Sequence, residues 1–210
     1  MENANIYVKQ LDGGKIPIYK TNGSAGADLY APYDIIIKPS ETILIPTNLY
    51  FRFDKGIEVQ IRPRSGLSLN THLRLANSVG TIDSDYCDIV GIILENTFNF
   101  ANLPYMIMND ISILKDLNYN YKKVKLIDYL LSQNVNQEHL VTEKYIQDYI
   151  GNEYIYLDKD NLPYGTIKIS KGDRIAQMVV NKYCMANFLP LEKFNGEKSE
   201  RIGGFGSTGI

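Results

Sequence analysis

The 210 residues suit one substantial globular domain, or one domain carrying a sizeable insertion, and are too few for several independent cores. Apolar residues at 44% and charged residues at 22% exclude disordered and collagen-like classes, and 22 Lys and Arg against 24 Asp and Glu leave no global basic field to gather nucleic acid or an anionic membrane. No apolar run approaches the roughly 18–20 residues of a membrane span, and Met1–Leu11 lacks the basic start and apolar core of a secretory signal. The expected location is intracellular, cytoplasmic or nuclear. Cys87 and Cys184 give no disulfide framework, and His72 and His139 form no paired-ligand spacing. Any metal is expected to arrive with a substrate.

From Asn5 to Ile61 short β-rich runs alternate with turn chemistry. The runs are Ile6–Val8, Ile35–Ile37, Thr42–Ile45, Leu49–Phe53 and Ile57–Ile61, with breaks at Gly13-Gly14, Gly23–Gly26, Pro39-Ser40 and Asp54–Gly56. This spacing predicts an all-β sandwich or barrel, and the lack of helices between the runs argues against a parallel α/β sheet. The β pattern resumes over Leu73–Leu94 and Thr166–Leu189. Between them, apolar residues fall at helical spacing at Val124, Ile127, Leu130 and Leu131, and again at Leu140, Val141, Tyr145, Ile146 and Tyr149. Two helices are predicted, the second stopping at Gly151.

Five polar, glycine-bearing segments stand out: AGADL (25–29), RPRSGL (62–67), NSVGTIDSDY (77–86), GDRIAQ (172–177) and a stretch from Arg201 ending in GGFGSTG (203–209). Taken singly, each is equally explained as a turn, a strand end or a flexible tail. Together they carry chemistry. Arg64, Ser65 and Gly66 offer a guanidinium fork, a hydroxyl and an approachable backbone, the parts of a phosphate cradle. Asp83 and Asp85 would share a face on an extended chain, where one of them could act as a general base. Phe205 offers a stacking surface, and Gly206, Ser207 and Thr208 offer amides and hydroxyls.

In sequence and in order, the five segments resemble the motifs of the trimeric dUTPase family. The resemblance implies a jelly-roll β domain, a homotrimer with sites shared between subunits, and magnesium-dependent hydrolysis of dUTP to dUMP and pyrophosphate. It implies that Asp83 activates the attacking water. Asn77, Gly80 and Thr81 would meet the uracil edge, with Tyr86 beneath the sugar. Arg64, Ser65 and Gly66 would hold phosphates, and Asp28 and Gln177 would hold magnesium-bound waters. Asp173 and Arg174 would be structural. Phe205 would stack on uracil, while Arg201, Gly206, Ser207 and Thr208 would close on the phosphates.

The sequence departs from the family pattern at several points. Arg201 precedes Phe205 by four residues instead of the usual five, which makes Lys198 an alternative source of charge. Cys87-Asp88 stands where a basic residue and Gly usually follow Asp85-Tyr86. Glu95 lies too far past Asp83 to match the water-activating glutamate of the related dCTP deaminases, and reads as a surface or insertion-facing residue. The 75 residues between Asn96 and Gly172 far exceed the family's usual connection, so residues 98–165 are expected to be a mainly helical insertion within a single 1–210 domain. A dCTP deaminase, a bifunctional enzyme, and a weakly active regulatory protein acting on a partner through the insertion are the alternatives. The apolar, Tyr-rich face of Leu126, Tyr129, Leu130, Tyr145 and Tyr149 motivates the last.

Overall fold

Strict alternation along β7 (Ile57–Arg62) shows how the strands choose their faces. Val59 and Ile61 are 0% and 3% exposed, whereas Glu58, Gln60 and Arg62 face the other way and stay half-exposed. The computed structural model describes residues 3–133 and 150–190. Strands are numbered in chain order. β2 (Ile18–Tyr19), β3 (Ala27–Tyr30), β14 (Arg174–Lys182), β7 and β9 (Gly80–Ile82) form a five-stranded antiparallel sheet in that spatial order. β5 (Thr42–Pro46), β10 (Gly91–Asn96) and β8 (Leu73–Leu75) form a second. Two antiparallel pairs complete the β body: β1 (Tyr7–Gln10) with β6 (Leu49–Arg52), and β4 (Ile35–Ile37) with β13 (Ile167–Ile169).

The inward faces meet in one core in which Leu29, Ile37, Ile45, Val59, Ile92 and Ile175 are each at most 1% exposed. Burial of each such side chain stabilises the fold by about 1.5–3 kcal/mol. The all-β expectation therefore holds, with corrections at the element ends. β14 stops at Lys182 rather than continuing to Leu189, and Phe188 and Leu189 are 94% and 82% exposed. Apolar content suggested a strand there, but among the described residues no strand pairs with this stretch. Ser65–Asn70 forms a short helix, α1, where the sequence suggested a strand end.

The segment 98–165 contains a 3-10 turn (Phe100–Asn102), α2 (Leu103–Asn109), α3 (Ser112–Asn120) and α4 (Leu126–Ser132). It is not purely helical. Val124, assigned by spacing to a helix, lies in β11 (Lys122–Lys125), which pairs with β12 (Tyr154–Leu157). Only Val124 of Lys-Lys-Val-Lys is partly buried, the lysines suit an edge strand, and β12 supplies the backbone partners. Ile127, Leu130 and Leu131 are helical as expected, whereas the predicted helix through Leu140–Tyr149 lies outside the described residues. Leu126, Tyr129 and Leu130 line a groove with Pro39 and Ser40 of the β body, so they face that body across a cleft. Among the described residues no helix is long and apolar enough to cross a membrane.

One buried amide roots both ends of this segment. Asn96, 0% exposed, donates from Nδ2 to the carbonyls of Ile37 (3.0 Å) and Gly165 (2.8 Å), and its Oδ1 accepts the Phe98 N–H at 3.1 Å. Gly165 has φ +85°, and a Cβ there would run into the Phe98 ring. Phe98 in turn meets His72, Phe100 and Tyr164 edge-on at 5.2–5.5 Å. Asn96→Ala leaves two carbonyls and one N–H without this partner, and we expect it to cost about 3 kcal/mol. Urea denaturation at fixed protein concentration measures this, and a loss below about 1 kcal/mol would contradict the rooting role.

Candidate functional site

Cross-strand register brings three predicted residues to one end of the five-stranded sheet. Gln177 on β14 lies opposite Asp28 on β3 and opposite Arg62 on β7, and Arg64 follows two residues beyond Arg62. Arg64 caps α1 and reaches back to Asp28, with Nε 2.9 Å from Oδ1. Its Nη1 donates to the Arg174 carbonyl at 3.1 Å. Arg174 itself donates from Nη1 to the second Asp28 oxygen, Oδ2, at 3.3 Å. The Asp28 side chain is only 13% exposed, so its charge is matched by two guanidinium groups in a partly desolvated position. Ser65 and Gly66 are exposed beside this cluster.

Gln177 donates from Nε2 to the Pro63 carbonyl at 2.9 Å, tying β14 to the segment that carries Arg64 and Ser65. Gly26 makes room for it, because a Cβ at Gly26 would overlap the Gln177 amide. The Asp173 carboxylate accepts the Ser170 N–H at 2.8 Å and its carbonyl accepts that of Ala31 at 2.8 Å, contacts that suit a structural role.

Arg174, also expected to be structural, joins the polar cluster through its bond to Asp28. Three positions from Gln177, it would point to the opposite face of a regular strand. A β-bulge between Arg174 and Ala176 resets the alternation, so that Arg174 pairs with Tyr30 and Gln177 with Asp28 while Ile175 and Ala176 are both buried. The sequence signal for this is the Ile175-Ala176 apolar doublet, which breaks the period of two.

Asn77, Gly80, Thr81, Asp83 and Tyr86 form a second group. Gly80 and Thr81 lie on β9, opposite Ile61 and Gln60 of β7. A Cβ at Gly80 would stand 3.3 Å from the Asn77 amide nitrogen and 3.4 Å from Ile61, so a side chain there would push the Asn77 amide back by a few tenths of an ångström. β8 and β9 belong to different sheets, so residues 76–79 cross between them, Gly80–Ile82 pairs with β7, and the chain then turns. The turn is closed by the Tyr86 N–H donating to the Asp83 carbonyl at 3.1 Å. Asp83 and Asp85 therefore flank a reversal instead of sharing the face of an extended strand. Both carboxylates are exposed. Glu95 lies on the outward face of β10, opposite Thr42 and Arg74.

Asp83 and Ser65 lie toward opposite ends of β7, whereas Gly80, opposite Ile61, and the Asn77 amide packed on it lie near the Arg62 end. Ile82 pairs with Val59, and Asp83 continues past it, while Ser65 lies beyond Arg62. Val59 and Arg62 are about 10 Å apart along the strand, and Asp83 and Ser65 lie beyond them in opposite directions. Arg201, Phe205, Gly206, Ser207 and Thr208, with Lys198, fall outside the described residues.

A family profile described as dUTPase matches residues 12–102. The deoxyuridine 5'-triphosphate nucleotidohydrolase of a Thermoanaerobacter species is 30% identical over 210 aligned residues, covering 98% of this chain and 97% of that protein. The chain belongs to the dUTPase family. Among solved structures, the dUTPase of Staphylococcus bacteriophage 80alpha with dUPNHPP matches at a TM-score of 0.66 and 22% identity, over 98% of this chain and 99% of that one. The dUTPase of phage phi11 of S. aureus, described as coordinating a structural Mg(II) ion, matches at 0.61 and 21%, over 91% and 99%. These likenesses give the fold, the dUTPase jelly roll. Within that fold Gly26→Ala would displace the Gln177 amide from the Pro63 carbonyl while costing less than about 2 kcal/mol. A crystal structure and melting curve of the variant check this; an amide still bonded to Pro63 would contradict the packing described.

Proposed function

We propose that this dUTPase-family chain hydrolyses dUTP to dUMP and pyrophosphate. The observation that carries the reading is end-to-end similarity to a named nucleotidohydrolase in a chain whose exposed Asp83 follows the glycine-bearing strand β9. Asp83 takes a proton from water as its oxygen bonds to the α-phosphorus. The bond from that phosphorus to the α,β-bridging oxygen breaks, and the departing group leaves as pyrophosphate. The Asn77 amide and the Gly80 and Thr81 backbone meet the uracil edge. Tyr86 beneath the sugar excludes a ribose 2'-hydroxyl, and the enclosed base leaves no room for a 5-methyl group. Arg64, Ser65 and Gly66 hold phosphates, and Arg201, Phe205, Gly206, Ser207 and Thr208 complete the uracil and phosphate contacts.

The donor set suits a hydrated cation. Among the described residues no three His, Cys, Asp or Glu side chains converge on a metal position. Each Asp28 oxygen accepts one guanidinium bond and keeps a lone pair for water. Asp28 and Gln177 would thus hold magnesium through its waters, as befits an ion that sheds them reluctantly. Bound with the triphosphate, magnesium would offset phosphate charge.

The separation of Asp83 from Ser65 along β7 supports a site built from different subunits of a homotrimer. Residues 98–165 are read as an insertion, and the family profile ending at residue 102, near the start of this segment, supports that reading.

Product chromatography after incubation with dUTP, dCTP, dTTP and UTP is expected to show dUMP from dUTP alone, and Asp83→Asn should lower kcat by about 10²–10⁴-fold. Conversion of dCTP would reassign the chemistry to deamination and direct attention to Glu95, while unaltered turnover in Asp83→Asn would remove Asp83 as the base. Co-expression of Asp83→Asn with Ser65→Ala chains should restore activity in mixed oligomers. No restoration in oligomers shown by mass spectrometry to be mixed would refute a shared site.

A further inference from the structure

Arg52 ends β6 on the outward face, between Phe51 and Phe53, which are 3% and 8% exposed and anchor the backbone on either side of it. Its Nη1 donates to the Phe51 carbonyl at 2.9 Å and to the Tyr86 carbonyl at 2.8 Å. The side chain is thus pinned to its own strand while its charged end grips a turn 34 residues away.

The other bonds of that turn are local. The Tyr86 N–H donates to the Asp83 carbonyl, the Tyr86 hydroxyl to the Ile89 carbonyl (3.0 Å), the Cys87 thiol to the Asp85 carbonyl (3.0 Å) and the Ile89 N–H to Asp88 Oδ1 (2.6 Å). Among the described residues, Arg52 supplies the hydrogen bond that ties Ser84–Ile89 to another strand. The stretch from Asp83 to Asp88 carries three carboxylates and no cation of its own. A guanidinium is suited to the task, since it stays charged and its planar fork holds its direction.

We infer that Arg52 is a positioning residue for the proposed reaction: through the Tyr86 carbonyl it sets where the Tyr86 ring and the Asp83 carboxylate stand against the nucleotide. This rests on the dUTP-hydrolysing reading above. Arg52 touches no reacting atom, so its effect lies in geometry, where a displacement of about 1 Å can cost roughly a hundredfold in rate.

The test compares Arg52→Gln and Arg52→Lys with the wild type on dUTP and UTP. In Arg52→Gln, kcat for dUTP should fall by about 10- to 100-fold with KM within about threefold. The preference for dUTP over UTP in kcat/KM should fall about tenfold, because the turn carrying the ring that excludes the 2'-hydroxyl is no longer tied to β6. Arg52→Lys, which keeps a charged donor, should recover most of both, and it is also the variant to read if Arg52→Gln does not fold. Wild-type kcat and selectivity in a folded Arg52→Gln, or a loss that follows a lowered melting temperature with selectivity unchanged, would overturn the positioning role alone. A wild-type protein that releases no dUMP from dUTP would overturn the underlying reading, and the positioning role with it.

Discussion

β7 is held on both flanks, by β14 from Ile57 to Arg62 and by β9 from Val59 to Ile61, and its register on these neighbours fixes where each described site residue stands. The register is set by burial. With Val59 and Ile61 inside, a slip of one residue would expose both and turn Glu58, Gln60 and Arg62 into the core. The cost of desolvating those three polar side chains makes such a slip prohibitive. The same packing that stabilises the sheet therefore holds Gln177 beside Asp28 at one end and delivers Asp83 at the other.

Regularity supplies this frame, and the chemistry gathers where regularity is interrupted. The bulge at Ile175 turns Arg174 toward Asp28, and the turn after β9 lifts Asp83 out of the ladder. Asn77 packs closely over Gly80, where a side chain would crowd its amide. The bulge and the turn give up ladder bonds that an unbroken strand would have, and each is fastened by a guanidinium: Arg174 to the Asp28 carboxylate and Arg52 to the Tyr86 carbonyl.

This contrast explains what could be read from the residues alone. The runs around Ile35, Ile45 and Ile61 declare themselves because alternation is a local property, visible in four or five consecutive letters. The order of the five motifs declares the family. Pairing between distant segments leaves no such trace: nothing in Lys122–Lys125 names Tyr154–Leu157 as its partner, so helical spacing at Val124 was the stronger local signal. For the same reason Asp83 and Asp85 read as one face of a strand until the turn was seen. Arg52 sits in a run that announces only an outward-facing polar residue, and its contact with Tyr86 depends on a fold that the run does not encode.

The amide of Asn96 joins the carbonyls of Ile37 and Gly165, so the two ends of a long chain segment leave the jelly roll as near neighbours. Loop-closure entropy rises only with the logarithm of length, which makes the spacing of such ends matter far more than what is strung between them. The closure cost at this junction thus depends little on how many residues lie between Phe98 and Tyr164, whereas Phe98, Tyr164 and Gly165 themselves belong to the root. A change of length inside those anchors would add little closure cost for the sheet that carries Asp28, Arg64 and Gln177, whereas a change at the anchors would break the root itself.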